Sequence, residues 1–143
     1  MTLKMCEWDF PGVSPEDILR EARVARSRAY SPYSGFSVGA ALLDEDGRIF
    51  NGCNVENGSY GLTVCAERSA ISVMIAAGGR KPLAIAIACD PGIPCFPCGA
   101  CQQVLSEFNP AMTVVVEKGE DSFSLYSLED IFPMPFNLGD RGK

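Results

Sequence analysis

Two short cysteine-containing segments, residues 63–68 and 97–101, constrain this chain more than any other feature. Each precedes a run whose apolar spacing predicts an amphipathic helix. A Gly-Gly pair follows the first run and an Asn-Pro pair follows the second, and both pairs are helix stop signals. Free N–H groups and the helix dipole stabilise thiolates at a helix start. The pattern therefore predicts three cysteine sulfurs at two helix N-termini.

The remaining sequence alternates helix and strand patterns. Ser14, Pro15 and Asp17 predict a capped helix start, and this first helix should end near Tyr30, before a Ser-Pro pair. An Asp-Gly turn predicts a hairpin between the first two strands. Strands are predicted at 35–43, 48–55, 83–89, 112–117 and 122–126, amphipathic helical runs at 69–77 and 102–108, a single helical turn at 127–132, and a turn at 119–121. This order predicts an α/β sandwich with a mixed sheet.

Length and charge limit the possible classes of protein. The 143 residues are predicted to form one domain, residues 1–143, with loose termini at 1–13 and 137–143. A net charge of −6 disfavours binding to nucleic acids or to anionic membranes. The sequence shows neither a signal-peptide pattern nor an apolar run long enough to span a bilayer. Seven cysteines without a secretion signal favour a cytoplasmic location.

The sequence contains no histidine. This absence excludes Ser-His and Cys-His nucleophilic arrangements and every metal site that needs imidazole. Any general acid or base near neutral pH must therefore be a carboxylate, a thiol, a lysine or a tyrosine. Glu67 lies two residues after Cys65 and is the carboxylate near this cysteine that could move protons.

Three interpretations of the cysteines compete. Overlapping Cys-x-x-Cys pairs are compatible with a redox dithiol. Alternatively, Cys89, Cys95, Cys98 and Cys101 could close a structural four-thiolate zinc cage. In the third interpretation, Cys65, Cys98 and Cys101 hold a catalytic zinc ion and leave one position for water. The third is favoured because the other two leave the helix start at Cys65 unexplained.

Four linked segments carry a family resemblance. Residues 29–41, 52–57, 65–68 and 97–104 resemble the small cytidine deaminases, in the order found in that family, and the resemblance extends from about residue 14 to residue 136. It implies a three-layer α/β/α sandwich with a mixed five-stranded sheet. It also implies one Zn²⁺ per subunit and the hydrolytic deamination of cytidine and 2′-deoxycytidine to uridine and 2′-deoxyuridine, with release of ammonia.

The resemblance assigns roles to the residues around the metal. It makes Cys65, Cys98 and Cys101 the zinc ligands, with water or hydroxide as the fourth ligand. Glu67 would be the proton shuttle between the attacking water and the ring. Three thiolates carry more negative charge than zinc neutralises, and Arg68 is expected to offset it by donating to the ligand sulfurs. The alternative for Arg68 is a solvated helix face.

The resemblance also implies the substrate contacts. Asn54 and Glu56 would hydrogen-bond the ribose 3′-hydroxyl, Phe36 would pack near the base, and Ala66 would line the pocket through its backbone. Phe136 would reach the site of a neighbouring subunit in a homotetramer and stack on the base bound there. Without the resemblance, Phe36 would be interpreted as a core strand residue and Phe136 as a single exposed aromatic residue.

Some residues depart from the family pattern or stand outside it. Gln102 occupies a position where an arginine is common, and Cys95 with Phe96 replaces smaller or polar residues before the second segment. These departures leave the shape of the pocket lip open. Cys53 and Cys89 are predicted to be buried strand residues.

The expected partner is a small pyrimidine nucleoside, with no nucleic acid and no membrane. Two alternatives to a cytidine deaminase remain: a deaminase of a modified aminopyrimidine nucleoside, and a non-catalytic module stabilised by zinc. The predicted ribose contacts at Asn54 and Glu56 favour a plain ribose over the first alternative.

Overall fold

A five-stranded mixed sheet forms the centre of the computed structural model, which describes residues 4–119 and 122–139. The helices are α1 (Pro15–Arg26), α2 (Ala66–Ala76), α3 (Gly99–Phe108) and α4 (Leu128–Ile131), with a 3₁₀ turn at Tyr60–Leu62. The strands are β1 (Gly39–Asp44), β2 (Ile49–Cys53), β3 (Pro82–Ala88), β4 (Thr113–Glu117) and β5 (Phe123–Ser127). None of the helices in the described parts of the chain combines the length and apolar character needed to cross a bilayer.

The strand order is β2-β1-β3-β4-β5. Strands β3 and β4 are parallel, and the other neighbouring pairs are antiparallel. The parallel pair is joined through α3, as expected for a strand–helix–strand crossover. The predicted α/β class and mixed five-stranded sheet are therefore confirmed.

Side chains on the central strands alternate between two helical layers. In β1, Ala40 and Leu42 belong to a core cluster with α2 and α3, whereas Ala41 and Leu43 belong to a second cluster with α1. This alternation follows from the two-residue period of a strand. Both faces of the sheet are covered by helices, which gives the three-layer arrangement and explains why β1 is buried along its whole length.

Helix α1 starts as predicted and ends earlier than predicted. Asp17 N donates to Ser14 Oγ over 3.2 Å, and Ser14 N donates to Asp17 Oδ2 over 2.9 Å, which completes the capping box. Hydrogen bonds from the backbone N–H and the side chain of Ser14 to the Asp17 carboxyl group hold the pKa of Asp17 below its usual value. The helix ends at Arg26 rather than near Tyr30, because Tyr30 N donates to Asn54 O over 3.0 Å and Tyr30 pairs with Val55.

The first predicted strand is too long at its start. Residues 35–38 lie outside β1, which begins at Gly39. The side chain of Asn54 occupies the backbone groups that a neighbouring strand would have bonded: it accepts from Val38 N over 2.9 Å and donates to Phe36 O over 2.8 Å. The other predicted strands, apart from the ends of the second, agree with the structure to within one residue.

The segment before α1 is attached to the sheet, contrary to the expectation of a loose terminus. Met5 forms an antiparallel bridge with Tyr126, and Cys6 N donates to Leu125 O over 2.9 Å. Trp8 Nε1 donates to Val13 O over 2.7 Å. Residues 1–3, 120–121 and 140–143, which include parts of the predicted termini and of the predicted turn at 119–121, lie outside the described residues.

Candidate active site

Three cysteine sulfurs converge where α2 and α3 begin. Cys65 is the N-cap residue of α2, Cys98 is the N-cap residue of α3, and Cys101 lies in the first turn of α3. Their Sγ atoms all lie within 4.8 Å of one another. The structure therefore brings together the three residues that the sequence predicted as ligands.

Gly52 of β2 lets α2 approach the sheet closely at this point. A Cβ atom on Gly52 would lie 2.5 Å from Ala70 N and 2.8 Å from Ala66 O, both in the backbone of α2. A glycine is therefore needed where the strand passes under the helix that begins at Cys65. The sequence around Gly52 carries no local signal for this close approach.

The cluster fits a tetrahedral zinc ion. Tetrahedral Zn–S bonds of about 2.3 Å place two sulfurs about 3.8 Å apart, and the Sγ atoms of Cys65 and Cys98 are 4.0 Å apart. The three cysteines are free thiols, so the spacing is not that of a disulfide. Within residues 4–119 and 122–139, Cys89 and Cys95 stand outside this metal-ligating cluster. The donor set therefore fits three protein ligands and not the four-thiolate cage.

The pKa values of the Cys98 and Cys101 thiols are shifted in opposite directions. Burial alone would raise the pKa of Cys98, but the backbone N–H and thiol of Cys101 and the thiol of Cys65 lower it below the usual value. Burial raises the pKa of Cys101, and the neighbouring Glu67 and Cys65 add to the effect. A bound cation would oppose the increase at Cys101 by favouring its thiolate form.

Glu67 is a buried carboxyl group beside the sulfurs. It is the second residue of α2 and is 5% exposed. Burial raises its pKa, while its own backbone N–H, the Cys101 thiol and the Arg68 charge act in the opposite direction. Burial thus favours its protonated form, and a carboxyl group can accept a proton when ionised and donate one when protonated.

Arg68 contacts the sulfur cluster, as predicted. Its Nη2 lies 3.4 Å from Cys65 Sγ and donates to it. This hydrogen bond is the main cause of the raised pKa of Arg68, and Cys101 contributes to it. Arg68 Nε is buried and has no hydrogen-bond partner in the described part of the chain. The guanidinium group is thus directed at the thiols and not into solvent.

A cavity of about 210 Å³ opens beside the cluster. Phe36, Val38, Cys95 and Phe96 supply its apolar wall. Its other lining residues include the predicted site residues Asn54, Cys65, Ala66, Glu67 and Cys98. The structure therefore places Phe36, Asn54 and Ala66 around the same space as the acidic and sulfur groups.

Asn54 has a structural role that was not predicted from the sequence: its side chain bonds the backbone of the segment that carries Phe36. Its two hydrogen bonds to Val38 N and Phe36 O hold the loop that carries Phe36 at the cavity wall. An asparagine can make further hydrogen bonds, because its amide has a second N–H and its oxygen a second lone pair. Asn54 can therefore fix Phe36 and still contact a ligand.

Glu56 lines a neighbouring cavity and not the one that contains Glu67. This second cavity, of about 380 Å³, is also lined by Tyr33, Tyr60 and Thr63, and Thr63 lines both cavities. Glu56 Oε1 accepts hydrogen bonds from Tyr33 N over 3.0 Å and from Ser34 N over 3.2 Å. The hydrogen bond with the Ser34 side chain is the main cause of the lowered pKa of Glu56.

Phe136 is absent from both cavity linings within the described chain. Its side chain is 72% exposed.

Of the two cysteines predicted to be buried in strands, Cys89 is buried directly after β3, whereas Cys53 lies in β2 but is only half-buried. The prediction for Cys53 was therefore wrong, because β2 is the edge strand of the sheet.

The residues that depart from the family pattern lie on both sides of Cys98. Cys95 and Phe96, before it, line the cavity. The Phe96 ring packs on Tyr126 of β5, with ring centroids 5.3 Å apart. Gln102 Nε2 donates to Pro97 O over 2.7 Å and so ties α3 to the loop in front of it. Both contacts hold the segment that presents Cys98. A single sequence gives no signal for them, since their partners are distant or lie in a loop.

The fold and the three-thiol site with its buried carboxyl group define a zinc-binding enzyme. Residues 13–118 match the family model described as "Cytidine and deoxycytidylate deaminase zinc-binding region". The chain belongs to this family of hydrolytic deaminases, and Cys65, Cys98 and Cys101 are close enough together to hold a metal ion.

Individual relatives agree with this assignment. The chain is 52% identical to the cytidine deaminase of Halalkalibacterium halodurans over 98 residues, which are 68% of this chain and 74% of that protein. It is 42% identical to the cytidine deaminase of Sporosarcina psychrophila over 126 residues, 87% of this chain and 93% of that protein. The crystal structure of cytidine deaminase from Burkholderia pseudomallei matches with a TM-score of 0.82 at 43% identity, covering 87% of this chain and 100% of that one.

Proposed function

We propose that this protein catalyses the hydrolytic deamination of cytidine and 2′-deoxycytidine to uridine and 2′-deoxyuridine, with release of ammonia. The observation that carries the proposal is the buried Glu67 carboxyl group beside three convergent thiols in a cavity. The similarity to proteins named cytidine deaminase supports cytidine as the base-bearing substrate.

Cys65, Cys98 and Cys101 would hold one Zn²⁺ per subunit. When bound there, zinc activates water as a nucleophile at neutral pH. Three thiolates leave the site with one excess negative charge, which would weaken a Lewis acid. The Arg68 N–H group donates to Cys65 Sγ, and the backbone N–H of Cys101 interacts with the Cys98 thiol. These donors withdraw negative charge from the thiolates.

Glu67 would act as the proton shuttle. In the overall reaction, water oxygen forms a bond to C4 of the cytosine ring, and the bond between C4 and the amino nitrogen breaks. Glu67 would accept one proton from the attacking water and deliver it to ring N3. It would then take the remaining proton from the oxygen now bonded to C4 and transfer it to the amino group, which leaves as ammonia while C4 becomes a carbonyl. One carboxyl group can do both jobs because it is a base when ionised and an acid when protonated.

The cavity walls would hold the nucleoside. The base fits between Phe36 and the backbone at Ala66, with C4 toward the sulfurs. The ribose would extend toward Thr63, where the two cavities meet. Asn54 offers its remaining amide capacity to the 3′-hydroxyl. The two backbone hydrogen bonds to Glu56 both end on Oε1, and a carboxylate has about four lone-pair sites, so Glu56 could also accept from the same hydroxyl.

A nucleoside fits these cavities better than a nucleotide. Their described lining residues include Glu56 and Glu67 and no lysine or arginine. A 5′-phosphate would therefore face like charge without a cationic partner, which disfavours its binding.

We expect cytidine and 2′-deoxycytidine to be deaminated and the corresponding 5′-monophosphates to have a lower kcat/KM, because the phosphate would meet negative charge without a cationic partner. The measurement is the ultraviolet absorbance loss of each substrate with purified protein, with released ammonia as an independent readout. Faster turnover of 2′-deoxycytidine 5′-monophosphate than of 2′-deoxycytidine would contradict the proposed substrate class.

The proposed assembly is a homotetramer in which Phe136 reaches the site of a neighbouring subunit. The 72% exposed ring, outside the described lining of its own chain's cavities, supports this arrangement. We also propose that residues 1–143 form a single domain and that the protein is cytoplasmic. The net charge of −6 supports the expectation that it binds neither nucleic acids nor anionic membranes.

A further inference from the structure

The C-terminal segment after α4 is held against α3 by a glutamine side chain. Gln103 Nε2 donates to Phe136 O over 2.9 Å, and Gln103 Oε1 accepts from Phe136 N over 3.0 Å. The amide thus imitates the paired hydrogen bonds that a neighbouring strand makes with one residue. Residues 133–139 lie outside regular secondary structure, so the position of their backbone depends on such contacts.

The two hydrogen bonds from Gln103 fix the backbone of Phe136 and leave its ring exposed. The ring is 72% exposed, and Met134 and Leu138 on either side are 89% and 67% exposed. The fixed residue is therefore the middle one of three apolar side chains that alternate with Pro135 and Asn137.

We infer that Gln103 is a positioning residue that orders the C-terminal segment so that the Phe136 ring is presented in one orientation to a bound pyrimidine base. The inference rests on the proposed function, in which Phe136 packs on the substrate of a neighbouring copy. Gln103 touches neither substrate nor metal in this scheme. It acts through Phe136.

The physical reason is the entropy of ordering. An aromatic ring on an unrestrained segment must be immobilised when substrate binds, and that cost lowers affinity. A ring already held by its backbone gains the stacking contact at lower cost. Gln103 therefore affects substrate binding and leaves the chemical step near Glu67 unchanged.

The test is a double-mutant cycle of Gln103→Met and Phe136→Ala, with cytidine as substrate. Methionine keeps the length of the side chain and the helix propensity of the position while removing both polar groups. We expect Phe136→Ala to raise KM about tenfold, in line with the loss of one aromatic stacking contact. Gln103→Met should raise KM about fivefold, with kcat within about twofold of the unsubstituted protein.

The cycle distinguishes positioning from a general structural role. If Gln103 acts through Phe136, Gln103→Met should cause no further change in the Phe136→Ala background. Zinc content and Tm should stay unchanged in Gln103→Met, and hydrogen exchange at the Phe136 amide should become faster. An equal rise of KM in both backgrounds, or an unchanged KM in the single variant, would overturn the inference.

Failure of the proposed function has a different signature. A zinc-loaded, unsubstituted protein that fails to deaminate cytidine would overturn the proposed activity. Deamination with a KM that Phe136→Ala leaves unchanged would overturn the role of Phe136 and, with it, the inference about Gln103. With both of those results as expected, the Gln103→Met measurement tests the inference alone.

Discussion

Replacing Glu67 with glutamine is expected to lower kcat for cytidine by about 10³-fold, within the range that general acid–base catalysis contributes. Glutamine has the same shape and fits the same buried position, but it can neither accept the proton of water nor deliver one to the ring. Because Glu67 is not one of the three proposed ligands, zinc should remain bound. The loss of turnover with retained metal separates a catalytic site from a structural zinc module.

The measurement combines steady-state kinetics with the zinc content of the same preparation. Glu45→Gln is the matched control, since Glu45 is an exposed residue just after β1 that undergoes the same chemical change. The control should keep both activity and zinc. Near-normal turnover in Glu67→Gln would exclude the proton-shuttle role.

Replacing Cys98 with serine is expected to remove zinc and activity together. Substituting the outer partners of metal ligands already costs 10–100-fold in metal affinity or activity, so loss of a thiolate ligand should lower zinc affinity by more than about 100-fold. The lowered pKa of Cys98 makes it the more readily ionised of the two α3 thiols. A serine hydroxyl at the same position stays protonated and cannot replace it.

The control is a cysteine outside the cluster. Cys53 is half-buried in β2, with its Sγ near Arg28 O, and Cys53→Ser should retain zinc and turnover. Zinc content by atomic absorption and cytidine turnover should fall in parallel for Cys98→Ser alone. A Cys98→Ser protein that kept a full complement of zinc would show that Cys98 is not a ligand.

Local signals in the sequence predicted much of the fold. The capping box at Ser14, the Asp46 and Gly47 turn and the alternation of strands and helices all appear in the structure, and Gly47 adopts a φ of 78° in that turn. The errors came from tertiary contacts. Helix α1 ends early because Tyr30 pairs with Val55, and residues 35–38 leave the strand because the Asn54 side chain takes their hydrogen bonds.

In the candidate active site, too, the features set by local sequence were predictable and those set by tertiary contacts were not. The convergence of three thiols was predictable because a helix start and the spacing of Cys98 and Cys101 are local properties, and the metal-ligating cluster bears this out. The separation of Glu56 from the cavity of Glu67 was not predictable, since it depends on how the Tyr33 loop folds over Glu56. The Gln103 contact with Phe136 joins residues 33 positions apart and has no sequence pattern.

The central claim is that zinc held by three cysteine thiolates makes this protein a cytidine deaminase. The most direct test follows cytidine absorbance and zinc content in one preparation: as purified, after removal of metal with a chelator, and after Zn²⁺ is restored. We predict that turnover disappears with the zinc and returns when zinc is added back, in proportion to the metal bound. Full deamination of cytidine by metal-free protein would contradict the claim.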